Sequence, residues 1–246
     1  MPVAINISDD DIHYAESILL PAGASFDAER RTFITNLSTI DLQAVPGSGK
    51  TTALLAKLLI LARKLPFSDG SGILVISHTN TAVDEIKEKI GKYCPGLFSY
   101  PNFCGTIQSF TDEFLAKPYY SKKYNKRIIR IDNEIYYDSH YIPGAARAWL
   151  ANQQNGGETI LRDSRLFGTD DLRYGFSDTR FPLNNKTSAT YLAIVDLKNK
   201  IRQKGFLCYD DAYILGFEYL EKIPLVKVLL QKRFSYVFVD EMLDMD

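Results

Sequence analysis

The sequence predicts an α/β protein in which a mostly parallel sheet carries helices on both faces and a mainly helical segment interrupts the pattern. Short apolar runs alternate with stretches of helical periodicity from Ile40 to about Leu115, and a further apolar run lies at Tyr236–Val239. A glycine-rich turn joins the first run directly to a helix. Between about Ala116 and Lys204 the alternation stops, and little continuous apolar strand pattern remains.

Ile40-Asp41-Leu42-Gln43-Ala44 is a short buried strand by this reading, followed by the glycine-rich turn. Thr51–Lys64 is a helix, because Leu54, Leu55, Leu58, Leu59 and Leu61 recur at helical spacing. Asp69-Gly70-Ser71-Gly72 punctuates the chain, and Ile73–Ile76 is a second buried strand. A helix from Ala82 to Lys92 places Val83, Ile86 and Ile90 on one face. Phe103–Thr106 is a third strand, leading into a helix at Ser109–Leu115, and Tyr236–Val239 is the fourth. Within the interruption, turn clusters at Asn155-Gly156-Gly157 and Pro182-Leu183-Asn184-Asn185 accompany at least one helix, Ser188–Lys204, which Gly205 stops. The expected layout is one domain over 1–115 and 205–246 with a mainly helical subdomain over 116–204 inserted into it.

A chain of 246 residues, 46% hydrophobic and 24% charged, is an ordinary soluble globular protein with a sizeable core. Its net charge of -1 gives no overall attraction to nucleic acid, so any basic surface is local. Cys94, Cys104 and Cys208 are odd in number, widely spaced and free of CxxC pairing, which fits reduced thiols in a cytoplasmic protein. The acidic N-terminal stretch lacks the order of a signal peptide, and Lys57 and Arg63-Lys64 interrupt the longest apolar run, so no membrane association is expected. His13, His78 and His140 are scattered and form no metal-ligand pattern.

Chemistry enters at Ala44-Val45-Pro46-Gly47-Ser48-Gly49-Lys50-Thr51-Thr52. A phosphate-binding loop (P-loop, or Walker A motif) needs glycines so that successive backbone N–H groups turn inward around an anion. It also needs a helix to start at once, with its positive end toward that anion. Lys50 is placed to reach the β- and γ-phosphates of ATP, and the Thr51 hydroxyl to ligate Mg²⁺. Ala44 stands where the pattern GxxxxGK[ST] has its first glycine, a position that needs only a small residue. The complementary acidic pair follows the strand Tyr236–Val239: Asp240 to hold Mg²⁺ and Glu241 to polarise the attacking water as general base. The candidate catalytic residues are therefore Glu241 and Lys50.

Over roughly Phe26 to Asp246 the chain resembles the superfamily 1 helicases of the UvrD/Rep type. Ser77-His78-Thr79-Asn80-Thr81-Ala82-Val83-Asp84-Glu85-Ile86 is similar to their T-x-T-N-x-A-A-x-E-M motif, and Gly105-Thr106-Ile107-Gln108-Ser109-Phe110 to their G-T-[FI]-H-S-F segment. Phe206-Leu207-Cys208-Tyr209-Asp210-Asp211 resembles the F-x-D-[FY]-D-D stretch that leads into the last strand, and Asp240-Glu241-Met242-Leu243-Asp244 resembles D-E-F-Q-D. The resemblance implies a RecA-like P-loop NTPase domain with an inserted subdomain at the place where the alternation stops. It implies an ATP-dependent DNA helicase using ATP and Mg²⁺, with single-stranded or partly duplex DNA as partner. Thr79, Asn80, Thr106 and Gln108 would line the DNA path; Thr79-Asn80 also suits capping of the helix that follows it.

Lys117–Arg130, which contains Lys122, Lys123 and Lys126, is basic, interleaved with tyrosines and free of acids. It reads either as a funnel for a phosphate backbone with stacking rings or as a solvated basic face. Three departures from the family stand out. Arg30 occupies the place of a glutamine that reads adenine, and arginine only donates. Leu243 occupies the glutamine place of D-E-x-Q-D and cannot hydrogen-bond. The sequence ends at Asp246, directly after that motif, and reads as a fragment, a truncated product or half of a split motor, completed by a second RecA-like domain or a partner protein. The competing reading is a non-catalytic ATP- and DNA-binding regulatory module.

Overall fold

The computed structural model describes residues 5–40, 49–135, 144–153, 157–174 and 181–240. The chain forms two compact units, Met1–Ile107 with Val228–Asp246, and Gln108–Lys227.

The first unit opens with helix α1 (Asp9–Leu19), which starts at Ser8 through a capping box with Asp11 and carries three acids in its first turn, where the helix dipole favours them. Helix α2 (Ala28–Thr35) is capped by Asp27. Helix α3 (Lys50–Arg63) is apolar all round and so is buried on both sides. Leu55, Leu58, Leu59 and Leu61 pack with Ile73, Val75, Ile86, Ile90 and Tyr236, while Ala56 and Ile60 pack with Ile12, Ala15, Phe26 and Ile34. Lys57 is the one polar residue among those α3 buries. It is 3% exposed, donates to the carbonyls of Phe33 (3.0 Å) and Asn36 at the end of α2, and is pushed down to about 8 by burial. A cation at that helix end satisfies carbonyls the helix itself leaves open.

Strand β1 (Gly72–Ser77) pairs in parallel with β2 (Phe103–Thr106) on one side and with β7 (Phe234–Val239) on the other, giving the order β2-β1-β7. The uninterrupted apolar run of β1 is what a central parallel strand requires. Tyr236 and Phe238 join the core beside α3, whereas Val237, directed the opposite way by the strand alternation, is 54% exposed. Helix α4 (Asn80–Ile90) buries Val83, Ile86 and Ile90, the face its periodicity predicts. Glycine is demanded at position 72, where a Cβ would lie 2.9 Å from the backbone of Pro101. Of the expected strand Ile40–Ala44, Ile40 is 41% exposed and in no strand, and the other four residues lie outside the described residues.

The second unit is mainly helical. Helix α5 (Ile107–Thr111) runs through a π turn (Asp112–Ala116) into α6 (Lys117–Tyr124), so the helical run passes the end expected at Leu115. Pro118 cannot donate to the carbonyl four residues back. The π turn precedes it, and the Lys117 N–H bonds to the Asp112 carbonyl instead. Helices α7 (Gly144–Ala151), α8 (Gly157–Asp163) and α9 (Ala189–Gln203, capped by Ser188) enclose a core of Leu150, Ile160, Leu166, Tyr191 and Ile194. Two small ladders lie here: an antiparallel hairpin of β4 (Ser164–Phe167) and β5 (Asp171–Tyr174), and a parallel pair of β3 (Arg130–Ile131) and β6 (Phe206–Leu207). Helix α10 (Tyr209–Lys222) reaches the π turn through Gly216, where a Cβ would stand 3.2 Å from Leu115. Helix α11 (Leu225–Arg233) then leads into β7. The Phe206–Asp211 stretch therefore leads into two helices rather than directly into the last strand.

Charges are buried inside this unit. Arg202 and Asp211, both 0% exposed, are ion-paired, and Arg165 pairs with Asp210. Lys198, also 0% exposed, donates to the carbonyls of Leu161 and Ser164 (2.8 Å for the latter). No helix among the described residues is long and apolar enough to cross a membrane.

Burial pushes the Lys198 ammonium down to about 7. In the unfolded chain it titrates near the free value, so between pH 7 and about 10 the unfolded state holds more protons than the folded one. The contribution of this group to stability should therefore rise with pH from 7 to 9, by up to about 1.4 kcal/mol per unit; Lys57 adds to that rise, and the buried thiols, whose folded pKa values are raised, oppose it. Urea denaturation at both pH values checks it. Lys198→Met should make the change in stability between pH 7 and 9 less positive than in the wild type, and an unchanged pH dependence in that variant rules the buried lysine out as a contributor.

Candidate functional site

Helix α3 begins where the phosphate-loop sequence ends. Gly49 is its N-cap, with φ +84°, a conformation that costs an L-residue strain and suits glycine. Lys50, Thr51 and Thr52 form the first turn, half-buried, with the positive end of the helix at their backbone. Among the described residues no side chain caps this end. Ala44, Pro46, Gly47 and Ser48 lie outside the described residues.

Arg30 approaches the same point from α2. Its Nη1 pairs with Asp27 at 2.8 Å, while Nη2 and Nε lie 3.0 and 3.2 Å from where a Cβ on Gly49 would sit. The guanidinium thus packs against the last glycine of the loop. The sequence placed Arg30 near a nucleotide only through the resemblance; the contact with Gly49 could not be read from it.

The carboxyl edge of the sheet is the second component. Ser77 lies beside Thr106 in the β1–β2 ladder, and the Asp240 N–H donates to the Ile76 carbonyl at 2.9 Å just past the end of β7. Parallel pairing thus brings the ends of three strands, and Asp240 with them, to one edge. Glu241 and Leu243 lie outside the described residues. Thr79 and Asn80 are exposed just beyond β1, with the Thr79 hydroxyl accepting from the Ala82 N–H at 3.2 Å as the cap of α4. Thr106 is 8% exposed at the end of β2.

In the second unit, the Gln108 amide donates to Asp112 at 2.7 Å. Burial holds the Asp112 carboxyl above its ordinary range, and that hydrogen bond opposes the shift. Asp210 and Asp211, which the sequence reading took only as part of a family motif, are structural: Asp211 accepts from Cys208 N–H at the start of α10 and neutralises Arg202. The basic stretch is also partly structural. Tyr119 and Tyr120 are buried, Tyr119 stacking on Tyr219 at 5.3 Å and the Tyr120 hydroxyl donating to the Arg202 carbonyl at 2.6 Å. These rings pack the interior and present no stacking face. Lys123 pairs with Glu218 at 2.9 Å and Lys126 donates to the Gln203 carbonyl at 3.0 Å, while Lys122 is exposed on α6. The thiols of Cys94, Cys104 and Cys208 are pushed up by burial to about 11, 11 and 12, so they are packing groups rather than nucleophiles.

The family model of the UvrD/REP helicase N-terminal domain matches residues 27–246. The chain is 23% identical over 207 residues to an ATP-dependent DNA helicase Rep from Buchnera aphidicola subsp. Schizaphis graminum (strain Sg). That match covers 80% of this chain and 30% of the relative, so the chain spans about a third of the length of the curated relative it matches.

The lysines of α6 separate packing from surface charge. The Lys123 charge and hydrogen bond hold the half-buried Glu218 carboxyl below its ordinary range against the opposing effect of burial. Lys123→Ala removes one of three donors to Glu218 Oε2, leaving the Tyr119 hydroxyl (3.1 Å) and Lys222 (3.5 Å), and should lower stability by about 1 kcal/mol, the net worth of one hydrogen bond. Lys122→Ala should leave it within about 0.5 kcal/mol. Thermal denaturation of both variants checks this, and equal melting temperatures would remove the distinction.

Proposed function

Because the chain belongs to the UvrD/REP helicase N-terminal domain family, we propose that it is the ATP-binding portion of a DNA helicase motor, with a RecA-like P-loop domain and an inserted, mainly helical subdomain. The observation that carries this reading is Gly49: a glycine at positive φ, immediately heading a buried 14-residue helix whose first residues are Lys50, Thr51 and Thr52. That combination supplies inward N–H groups, a helix dipole and a cation at one point.

The described residues fit ATP and Mg²⁺. The positive N-terminal end of α3 suits an anion, and Asp240 at the edge of the sheet supplies a hard oxygen ligand. Bound Mg²⁺ neutralises phosphate charge during phosphoryl transfer. Lys50 binds the β- and γ-phosphates, the Thr51 hydroxyl and Asp240 hold the metal, and Thr52 with Ala44, Pro46, Gly47, Ser48 and Gly49 completes the cradle. Glu241 takes the proton of the attacking water. Thr79, Asn80, Thr106 and Gln108 bind single-stranded DNA through its phosphates without reading sequence, and Lys122, Lys123 and Lys126 add local positive charge. Translocation and unwinding belong, on this reading, to the whole protein, in which a second RecA-like domain or a partner supplies an arginine to the transferred phosphoryl group. Such an arginine is worth about 10³–10⁵ in rate. The 246-residue chain by itself should therefore bind Mg-ATP, hydrolyse it slowly and unwind nothing.

Leu243 favours a second reading, a non-catalytic ATP- and DNA-binding regulatory module, because leucine offers no hydrogen bond to water or γ-phosphate. Two measurements decide. Lys50→Ala should abolish binding of a fluorescent ATP analogue without unfolding the chain; undiminished binding sinks the phosphate-loop assignment. Phosphate release, measured with and without single-stranded DNA after adding a second RecA-like domain of this family, should rise with DNA. A rate that stays at background in every combination supports the regulatory module.

A further inference from the structure

We propose that Glu218 is a built-in competitor for the nucleic-acid backbone, its carboxylate standing between Lys123 and Lys222 where a phosphate would bind; the inference rests on the DNA reading above and adds a regulator to it. Three donors from two helices meet on one oxygen. Glu218 Oε2 accepts from Lys123 Nζ at 2.9 Å, from the Tyr119 hydroxyl at 3.1 Å and from Lys222 Nζ at 3.5 Å. Tyr119 and Lys123 stand on α6, Glu218 and Lys222 on α10. Two ammonium groups and a hydroxyl converging on one oxyanion is also how a protein holds a backbone phosphate.

Two features separate this cluster from an ordinary ion pair. Oε1 of the same carboxylate is buried and has no hydrogen-bond partner among the described residues, so half of the group is desolvated without compensation. Turning the carboxylate outward hydrates that oxygen, which offsets part of the cost of giving up the lysines. The lysines, in turn, do not depend on Glu218 alone for their place. Their ammonium groups lie 5.7 Å (Lys123) and 5.9 Å (Lys222) from the centre of the Tyr119 ring, which is itself stacked on Tyr219 at 5.3 Å. Lys222 is 58% exposed, so a phosphate strand can reach the cluster from solvent. Burial raises the Glu218 carboxyl, but Lys123 outweighs it, so the competitor is anionic at neutral pH. Free protein therefore presents fewer net positive charges here than its lysines suggest, and DNA gains them only by displacing Glu218.

The test is fluorescence anisotropy of a labelled oligothymidylate titrated with the full chain at several salt concentrations. The proteins are the wild type, Glu218→Gln, Glu221→Gln, Lys222→Ala, and Glu218→Gln combined with Lys123→Ala and Lys222→Ala. Glu218→Gln should tighten binding by about three- to tenfold, the worth of a half-buried ion pair that DNA no longer has to break. Glu221→Gln removes the same charge from an exposed neighbour and should change affinity by less than about twofold. The gain should vanish in the combined variant, and a gain that survives there overturns the proposal. Lys222→Ala should reduce the slope of log K against log salt by about 0.7, one single-strand phosphate contact. It carries the test if thermal denaturation shows Glu218→Gln unfolded, and an unchanged slope then overturns the proposal. Equal affinities of the wild type and Glu218→Gln, or an equal gain from Glu221→Gln, overturn it while leaving DNA binding standing. A Glu218→Gln chain that binds inorganic phosphate in calorimetric titration yet gains nothing toward DNA overturns it in favour of a small-anion site. If neither the wild type nor Glu218→Gln binds the oligonucleotide, the DNA reading and this inference fall together.

Discussion

Strand β1 is hydrogen-bonded in parallel to β2 on one side and to β7 on the other, and a parallel ladder delivers the carboxyl ends of its strands to one edge. Parallel neighbours cannot be joined by a tight turn, so each return must travel back along the sheet before the next strand can form. Between β1 and β2 the return is α4 and the short turn at Pro95–Phe98. Between β2 and β7 it is the whole of the second unit and α11. Polar residues at the strand ends (Ser77, Thr106, Asp240) are held at one edge by backbone pairing and not by contacts of their own. The apolar side chains of β1 and β7 in turn give α3 one of its two buried sides.

Burial explains which elements could be read from the sequence. A central parallel strand is apolar along most of its length, so β1 announces itself as an uninterrupted run, and α4 and α9 show the period of half-buried helices. The glycine spacing around Gly49 was legible for a different reason, since it encodes a local backbone conformation. Helices α1 and α2 hid because their starts are written in caps and acids more than in a hydrophobic stripe. Strands β4 and β5 are only four residues long and carry charge inside them: Arg165 on one and Arg173 on the other. Pro118 marks a helix end by local rules, and the π turn that lets the helix pass it leaves no sequence signature.

The site was legible only where chemistry is local. Lys50, Thr51 and Thr52 stand at the helix start that their motif requires. Asp211 shows the opposite case. It reads as one acid of a motif, yet it is completely buried, and the reason is Arg202, nine residues earlier on another helix. A charge pair without exposure costs desolvation that only its partner offsets, so neither residue can be interpreted alone. Lys123 is similar, because the carboxylate that engages it comes from α10. Arg30 differs again: its neighbour Asp27 is predictable from helix capping, but its packing on Gly49 depends on how α2 lies against α3.

The division of the chain also orders its synthesis. Residues 108–227 are contiguous, so that unit has all its partners once its last helix has left the ribosome. The other unit contains the beginning of the chain but is not contiguous, and β1 stays open on one side until β7 emerges. The part made first is thus completed last, with a buried strand waiting on a distant pairing. An open strand edge is a template for intermolecular pairing, which makes the interval before β7 emerges the period of greatest exposure to aggregation.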